Sequence, residues 1–315
     1  MLFLLVLSEM EYLECDCIDV YIDNLKELDL VATQITAGAF FSQKQNLKLP
    51  LIEINLWHVA VGMLYHGALA QDKVLISFPI KRDSQKIDGS TFGSDSILVV
   101  LPDEKLLVLL PKEVESLDFV IPFSVLQDYY KYKKISDISP LLKKLRNKNT
   151  FSYNEKRQIK QLTSYTINVI AESKQLSYQA ILDAQDSILL KIFNILGDIC
   201  EEKAKGVSHN RVTTVKRALT TIHNNPTSNL SILELASSCF CSMRTLEYSF
   251  KSIIGCTPKD YLIKRRLNLI RQEIKRSPEK TITSITIDYG VVNAGRFSKD
   301  YFIFFGEYPS DTRIK

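Results

Sequence analysis

Histidine is scarce in this chain, with four residues among 315. A histidine-rich catalytic metal centre is therefore poorly supported. Cysteine is limited to positions 15, 17, 200, 239, 241 and 256. Neither Cys15-Asp16-Cys17 nor Cys239-Phe240-Cys241 has the spacing of a zinc-binding pair, and no histidine pair lies nearby. These thiols read as reduced, mostly buried small side chains, and no metal or cofactor is expected. A glycine-rich phosphate loop, a nucleophile elbow and an HExxH pattern are all missing. Long apolar runs are missing as well. Met1 to Leu7 is apolar but too short to cross a bilayer, lacks a basic lead and runs straight into Glu9 and Glu11. Neither a membrane span nor a signal peptide is expected, and the reading is a cytoplasmic protein.

What is present is ordinary globular composition, 45% hydrophobic and 24% charged, at a length that allows about two or three domains. Charge is unevenly placed. Residues 206–315 hold 17 of the 40 basic residues but 9 of the 36 acidic ones, a net +8 against −4 for the rest. A polyanion would feel that C-terminal field, although a solvated basic face fits the charge alone equally well.

Three regions follow. Residues 1–150 are rich in short strand-like runs: Leu51–Leu56, Lys73–Phe78, Ser96–Leu101 and Lys105–Leu110, punctuated by turn residues. Strands without intervening helical periodicity predict a β-rich barrel or sandwich. Ile138–Leu145 reads as one short helix. Residues 151–205 show helical periodicity interrupted near Ser173–Ser177, hence a helix hairpin. The apolar stripe of its second helix either packs on the β domain or forms a dimer surface, with Ile181, Ile188, Ile192 and Ile199 as the candidates. Gly206–Asn210 reads as a linker to an all-α region, 206–315.

That last region carries two helix-turn-helix patterns about fifty residues apart. A lead helix, Arg211–Asn225, ends at Pro226. In the first unit Ser231 and Glu234 have capping-box spacing, and Ser242 caps a second helix packed through Leu246, Phe250 and Ile253. Met243, Arg244, Thr245, Glu247, Tyr248 and Lys251 are left facing outward. Pro258–Arg276 predicts a helix of about 28 Å, rich in basic residues that contact phosphate or stay solvated. In the second unit Ile282, Ile285 and Ile287 are expected to build the scaffold, and Gly290 ends the helix. The reading helix follows, with Phe297, Tyr301 and Phe304 inward. Asn293, Ala294, Gly295, Arg296, Ser298 and Lys299 lie at its start or face outward. A helix-turn-helix unit sets its second helix in a DNA major groove, so double-stranded promoter DNA is the expected partner.

The run Arg244-Thr245-Leu246…Phe250…Gly255-Cys256-Thr257-Pro258…Tyr261…Arg265-Arg266-Leu267 resembles the first half of the AraC/XylS DNA-binding domain. Gly290…Phe297…Tyr301…Phe305-Gly306…Pro309…Arg313 resembles its second half. The resemblance implies a seven-helix domain that binds promoter DNA and usually activates transcription with RNA polymerase. It also implies an N-terminal cupin-like β domain with trailing helices, for effector binding and homodimerisation. The sequence departs from the family at three places. Phe240 stands where glycine is usual in the turn, Thr286 where alanine is usual, and Gly295 sits inside the second reading helix at a cost of about 1 kcal/mol. The first unit is therefore expected to discriminate bases, with Arg244 as the candidate guanine reader, and the second to contact phosphate.

In the front region Trp57, His58, Tyr65 and His66 form a candidate effector pocket, or else an aromatic core with satisfied histidines. The overall expectation is a DNA-binding regulator. The alternative is an enzyme whose β domain is catalytic and whose DNA-binding domain is accessory.

Overall fold

The computed structural model describes residues 9–23, 25, 30–69, 72–131, 137–148, 151–198, 209–226 and 230–314. Ile199, Cys200 and Gly206–Ser208 of the expected linker lie outside them.

Eleven described strands form two sheets. The first has order β1 (Glu9–Cys15), β3 (Ser42–Lys48), β4 (Glu53–Val59), β11 (Val114–Pro122), β6 (Lys73–Lys81), β9 (Leu98–Val100). The second has order β2 (Leu30–Gln34), β5 (Met63–Gly67), β10 (Leu106–Leu110), β7 (Gln85–Ile87), β8 (Ser90–Phe92). A short helix α1 (Ile18–Asp23) lies between β1 and β2.

Successive side chains of a strand point to opposite faces, and both faces of these sheets are covered. On the first sheet Ile54, Val74, Ile76, Phe78, Leu117 and Phe119 share one apolar cluster with four helices. These are α2 (Phe123–Lys131), α3 (Ser139–Arg146), α4 (Tyr153–Glu172) and α5 (Tyr178–Asp198). The Ser152–Glu155 capping box starts α4, and a 3-10 turn at Ser173–Gln175 makes the break expected there. Ile181, Ile188 and Ile192 are buried inside this cluster. They are not a dimer surface: the barrel uses up the α5 stripe, and Leu190 is among the exposed residues instead.

The C-terminal part holds seven described helices: α6 (His209–Asn224), α7 (Ile232–Ser238), α8 (Met243–Ile253), α9 (Pro258–Arg276), α10 (Ile282–Asp288), α11 (Ala294–Phe305) and α12 (Pro309–Ile314). His209 and Asn210, expected in the linker, begin α6.

The outer face of the second sheet docks on these helices. Leu64 of β5 and Leu107 of β10 join the cluster of Leu219, Leu235, Phe250 and Tyr261. Polar contacts rim the seam: Asn268 Nδ2 donates to the Gln34 carbonyl (3.2 Å), the Gly38 amide to the Phe304 carbonyl (2.8 Å), and Lys216 Nζ pairs with Asp88 (2.8 Å). Gly89, at φ +79°, lies against Ile253 of α8 so closely that a Cβ there would come within 2.1 Å of its Cδ1. The result is a stack of helices, sheet, interior cavity, sheet and C-terminal helices.

Candidate nucleic-acid interface and sensor cavity

The two helix-turn-helix units are built alike. Ser242 Oγ accepts from the Thr245 amide at the start of α8, and Asn293 Oδ1 from the Arg296 amide at the start of α11. Leu246, Phe250 and Ile253 in one unit, and Phe297, Tyr301 and Phe304 in the other, face the core. The turns correspond as well. The Cys241 amide donates to the Ala236 carbonyl (3.1 Å) and the Val291 amide to the Thr286 carbonyl (2.9 Å). Phe240 at φ +55° takes the place that Gly290 takes at φ +71°. The backbone thus adopts the left-handed turn with a phenylalanine, whose ring is 88% exposed.

Every outward residue named for the first unit is exposed: Met243, Arg244, Thr245, Glu247, Tyr248 and Lys251. The Arg211 guanidinium of α6 lies 4.6 Å from the centre of the Tyr248 ring and adds a cation that the motif gave no signal for. In the second unit Asn293, Ala294, Gly295, Arg296 and Lys299 are exposed and Ser298 is half-buried. Asn293 spends its side-chain oxygen on the cap, and Arg296 Nε lies 3.8 Å from Asp300. Gly295 occupies the place of Arg244, one position into the equivalent helix.

The expectations for Ile287 and for the basic spacer change. Ile287 is 65% exposed, because the short α10 turns it away from the Ile285 side that packs on Phe297 and Tyr301. Thr286 is buried, with its hydroxyl donating to the Thr283 carbonyl (2.9 Å), so it leaves no unpaired group. The basic spacer α9 is also only partly a DNA-facing element. Arg265 and Arg271 are buried; Arg271 pairs with Glu307 (2.8 Å) and lies over Phe305. Arg276 reaches Asp23 at 3.4 Å. Lys259 stays exposed.

A helix-turn-helix domain family matches residues 235–315. The XylDLEGF operon transcriptional activator of Pseudomonas putida is 37% identical over 99 residues, 31% of this chain and 31% of that protein. The HTH-type transcriptional regulator ArgR of Pseudomonas aeruginosa is 32% identical over 108 residues, 34% of this chain and 32% of its own length. Residues 235–315 are thus similar to the helix-turn-helix part of these transcription regulators. The chain spans about a third of the length of these curated relatives. Among solved structures the AraC-like transcriptional activator CuxR aligns over 84% of this chain and 96% of its own, at 12% identity and a TM-score of 0.47.

In front of the helix-turn-helix domain, the two sheets border a cavity of about 140 Å³. Trp57 and Tyr65 line it; His58 and His66 do not. Strand alternation separates them. His58 turns outward to Glu113 (3.4 Å) and Phe41, and His66 turns to His223 of α6, ring centroids 5.6 Å apart. Tyr65 Oη lies 2.5 Å from Tyr21 Oη, and burial pushes both phenols up. The sheet also contributes groups that the sequence reading passed over: Lys44, Asn55, Ser77, Arg82 and Asp118. Adjacent residues of β5 therefore touch the cavity (Tyr65) and the DNA-binding helices (Leu64, His66).

Proposed function

We propose that the whole chain is a sequence-specific, DNA-binding activator of transcription whose β domain senses a small effector. The observation that supports it best is the pair of exposed faces at the starts of α8 and α11, carried by one helix of 19 residues. That spacer is about 28 Å long, the scale of one turn of B-DNA at about 34 Å. Arg244, Met243, Thr245, Glu247 and Tyr248 then read bases in one groove segment, with Lys251 on phosphate. Ala294, Arg296, Ser298 and Lys299 meet the next segment, mainly at phosphates, and Asn293 holds the helix start. The matched relatives are regulators of transcription, which favours recruitment of RNA polymerase at the promoter.

The same proposal divides the chain at 1–150, 151–205 and 206–315, places it in the cytoplasm with its DNA, and takes the functional form as a homodimer. Any dimer contact uses residues other than Ile181, Ile188 and Ile192. Selection of bound sequences from a random duplex pool by the full-length protein tests this reading. An enriched asymmetric site is expected, together with an affinity that falls steeply and log-linearly with salt. Retention of all sequences alike would sink it.

A further inference from the structure

The first sheet is two-faced in its chemistry. Its helix-side face is apolar, whereas β3, β4, β6 and β11 turn Lys44, Asn55, Ser77 and Asp118 into the cavity. A buried polar group costs stability unless it is paired. Glu53 is paired, accepting from Asn46 (2.5 Å) and Asn55 (3.4 Å). Lys44, Arg82 and Asp118 on the cavity wall are satisfied only in part, Asp118 accepting from Ser77 and Ser116. Lys44 Nζ sits 4.9 Å from the centre of the Trp57 ring. Arg82, 8% exposed, donates to the Ser96 carbonyl but its Nε has no partner. Asp118 Oδ1 has none either. Among the described residues none of the three forms an ion pair, although they feel each other's charge. Arg82 and Asp118, each with one buried polar atom left without a partner, thus border one small space together with the cations Lys44 and Lys73. Most of the remaining wall, including Leu75, Val100 and Val108, is apolar, with Asn55, Ser77 and Ser116 as its neutral polar groups.

We propose that the cavity binds a small zwitterion with an apolar body, of the α-amino-acid class, its carboxylate toward Arg82 and Lys44 and its ammonium toward Asp118. The inference rests on the reading of the β domain as a sensor and names what it senses. A zwitterion supplies both missing counter-charges at once, where a plain acid or amine leaves one unmet. The volume favours a compact molecule: an apolar cavity of about 150 Å³ holds one benzene.

The chain has a single tryptophan, and Trp57 is in the cavity wall, so its emission reports occupancy directly. Full-length protein is titrated with valine and leucine, each beside its matched acid (3-methylbutanoate, 4-methylpentanoate) and amine (2-methylpropylamine, 3-methylbutylamine). At least one amino acid is expected to bind about tenfold or more tighter than its acid and its amine. Arg82→Met should reduce that amino acid to the level of its amine, and Asp118→Asn to the level of its acid. Lys44→Met, a change at a half-buried position, should weaken amino acid and acid but not amine, which keeps the test open if Arg82→Met fails to fold. If an acid or amine alone binds as tightly as its amino acid, the zwitterion is wrong while sensing stands. If none of the six changes Trp57 emission or the melting temperature, the zwitterion and the sensing role fall together, and DNA selection still judges the regulator separately.

Discussion

His66 on β5 and His223 on α6 face each other across the seam between barrel and DNA-binding domain, ring centroids 5.6 Å apart. Burial pushes His66 down to about 4, helped by repulsion from Lys216 and Lys105 and opposed by Asp88. Burial, Arg265 and His66 push His223 down to about 3, and its Nε2 lies 3.2 Å from Tyr261 Oη. Free histidine titrates near about 6.5, so below that pH the undocked chain binds more protons than the docked one. Stability at the seam is therefore full above about pH 6.5 and lost as pH falls toward 4. Between pH 7 and 5 the expected loss is on the order of 2 kcal/mol for each histidine. Deuterium exchange of β5 and α6, corrected for intrinsic rates, should rise at pH 5. Unchanged protection would refute the coupling.

Asp118 has the opposite sign. Burial raises it to about 6, against hydrogen bonds from Ser77 and Ser116 and the charges of Arg82 and Lys44. Between about pH 4 and 6 the folded chain holds a proton that the unfolded chain has released, so the ionised group destabilises at pH 7 and ceases to do so as pH falls below its ordinary range. Asp118→Asn should raise stability at pH 7.5 by on the order of 1–2 kcal/mol and give no gain at pH 4. Melting curves of both proteins at the two pH values measure the difference.

Arg244 and Arg296 are predicted to be unequal. Arg244→Ala should cost about 1–3 kcal/mol on the selected site and relax preference at one base position. Arg296→Ala, like Lys251→Ala and Lys299→Ala, should weaken all duplexes about evenly and flatten the salt slope. Competition against single-base variants of the site reads both. Equal loss of base preference from the two arginine variants would contradict the asymmetry.

Phe240 holds a left-handed turn that costs a side-chain-bearing residue about 1–2 kcal/mol. Phe240→Gly should stabilise the chain by roughly 0.5–1 kcal/mol after the entropy of the freer unfolded glycine is subtracted. A urea titration with an unchanged slope measures it.

Ile188 is fully buried between α5 and the barrel cluster. Ile188→Ala should cost about 2–4 kcal/mol of folding stability. Sedimentation should show the same oligomeric state as the parent, since the side chain meets its own chain.

The C-terminal domain was legible because its signals are local. Ser231 and Ser242 cap where their spacing places them, and Leu246, Phe250, Phe297 and Tyr301 repeat at helical period on a core face. The front domain was half-legible. Leu106–Leu110 stands out as a strand because both of its faces meet apolar neighbours. Ser42–Lys48 and Val114–Pro122 escaped because their polar residues, Lys44, Ser116 and Asp118 among them, point into an interior cavity that no apolar alternation announces.

By itself the sequence determined the helix-turn-helix pair and its asymmetry, since caps, core period and Gly295 act within a few residues of each other. Tertiary structure alone decided which neighbours part company. On β5 the pleat sends Tyr65 to the cavity and His66 to the DNA-binding helices; on α5 the packing of the barrel claims the isoleucines; and on α9 Arg265 and Arg271 fold inward. Each outcome depends on which surface a distant segment covers, and a side chain's fate there is set by contact across the fold.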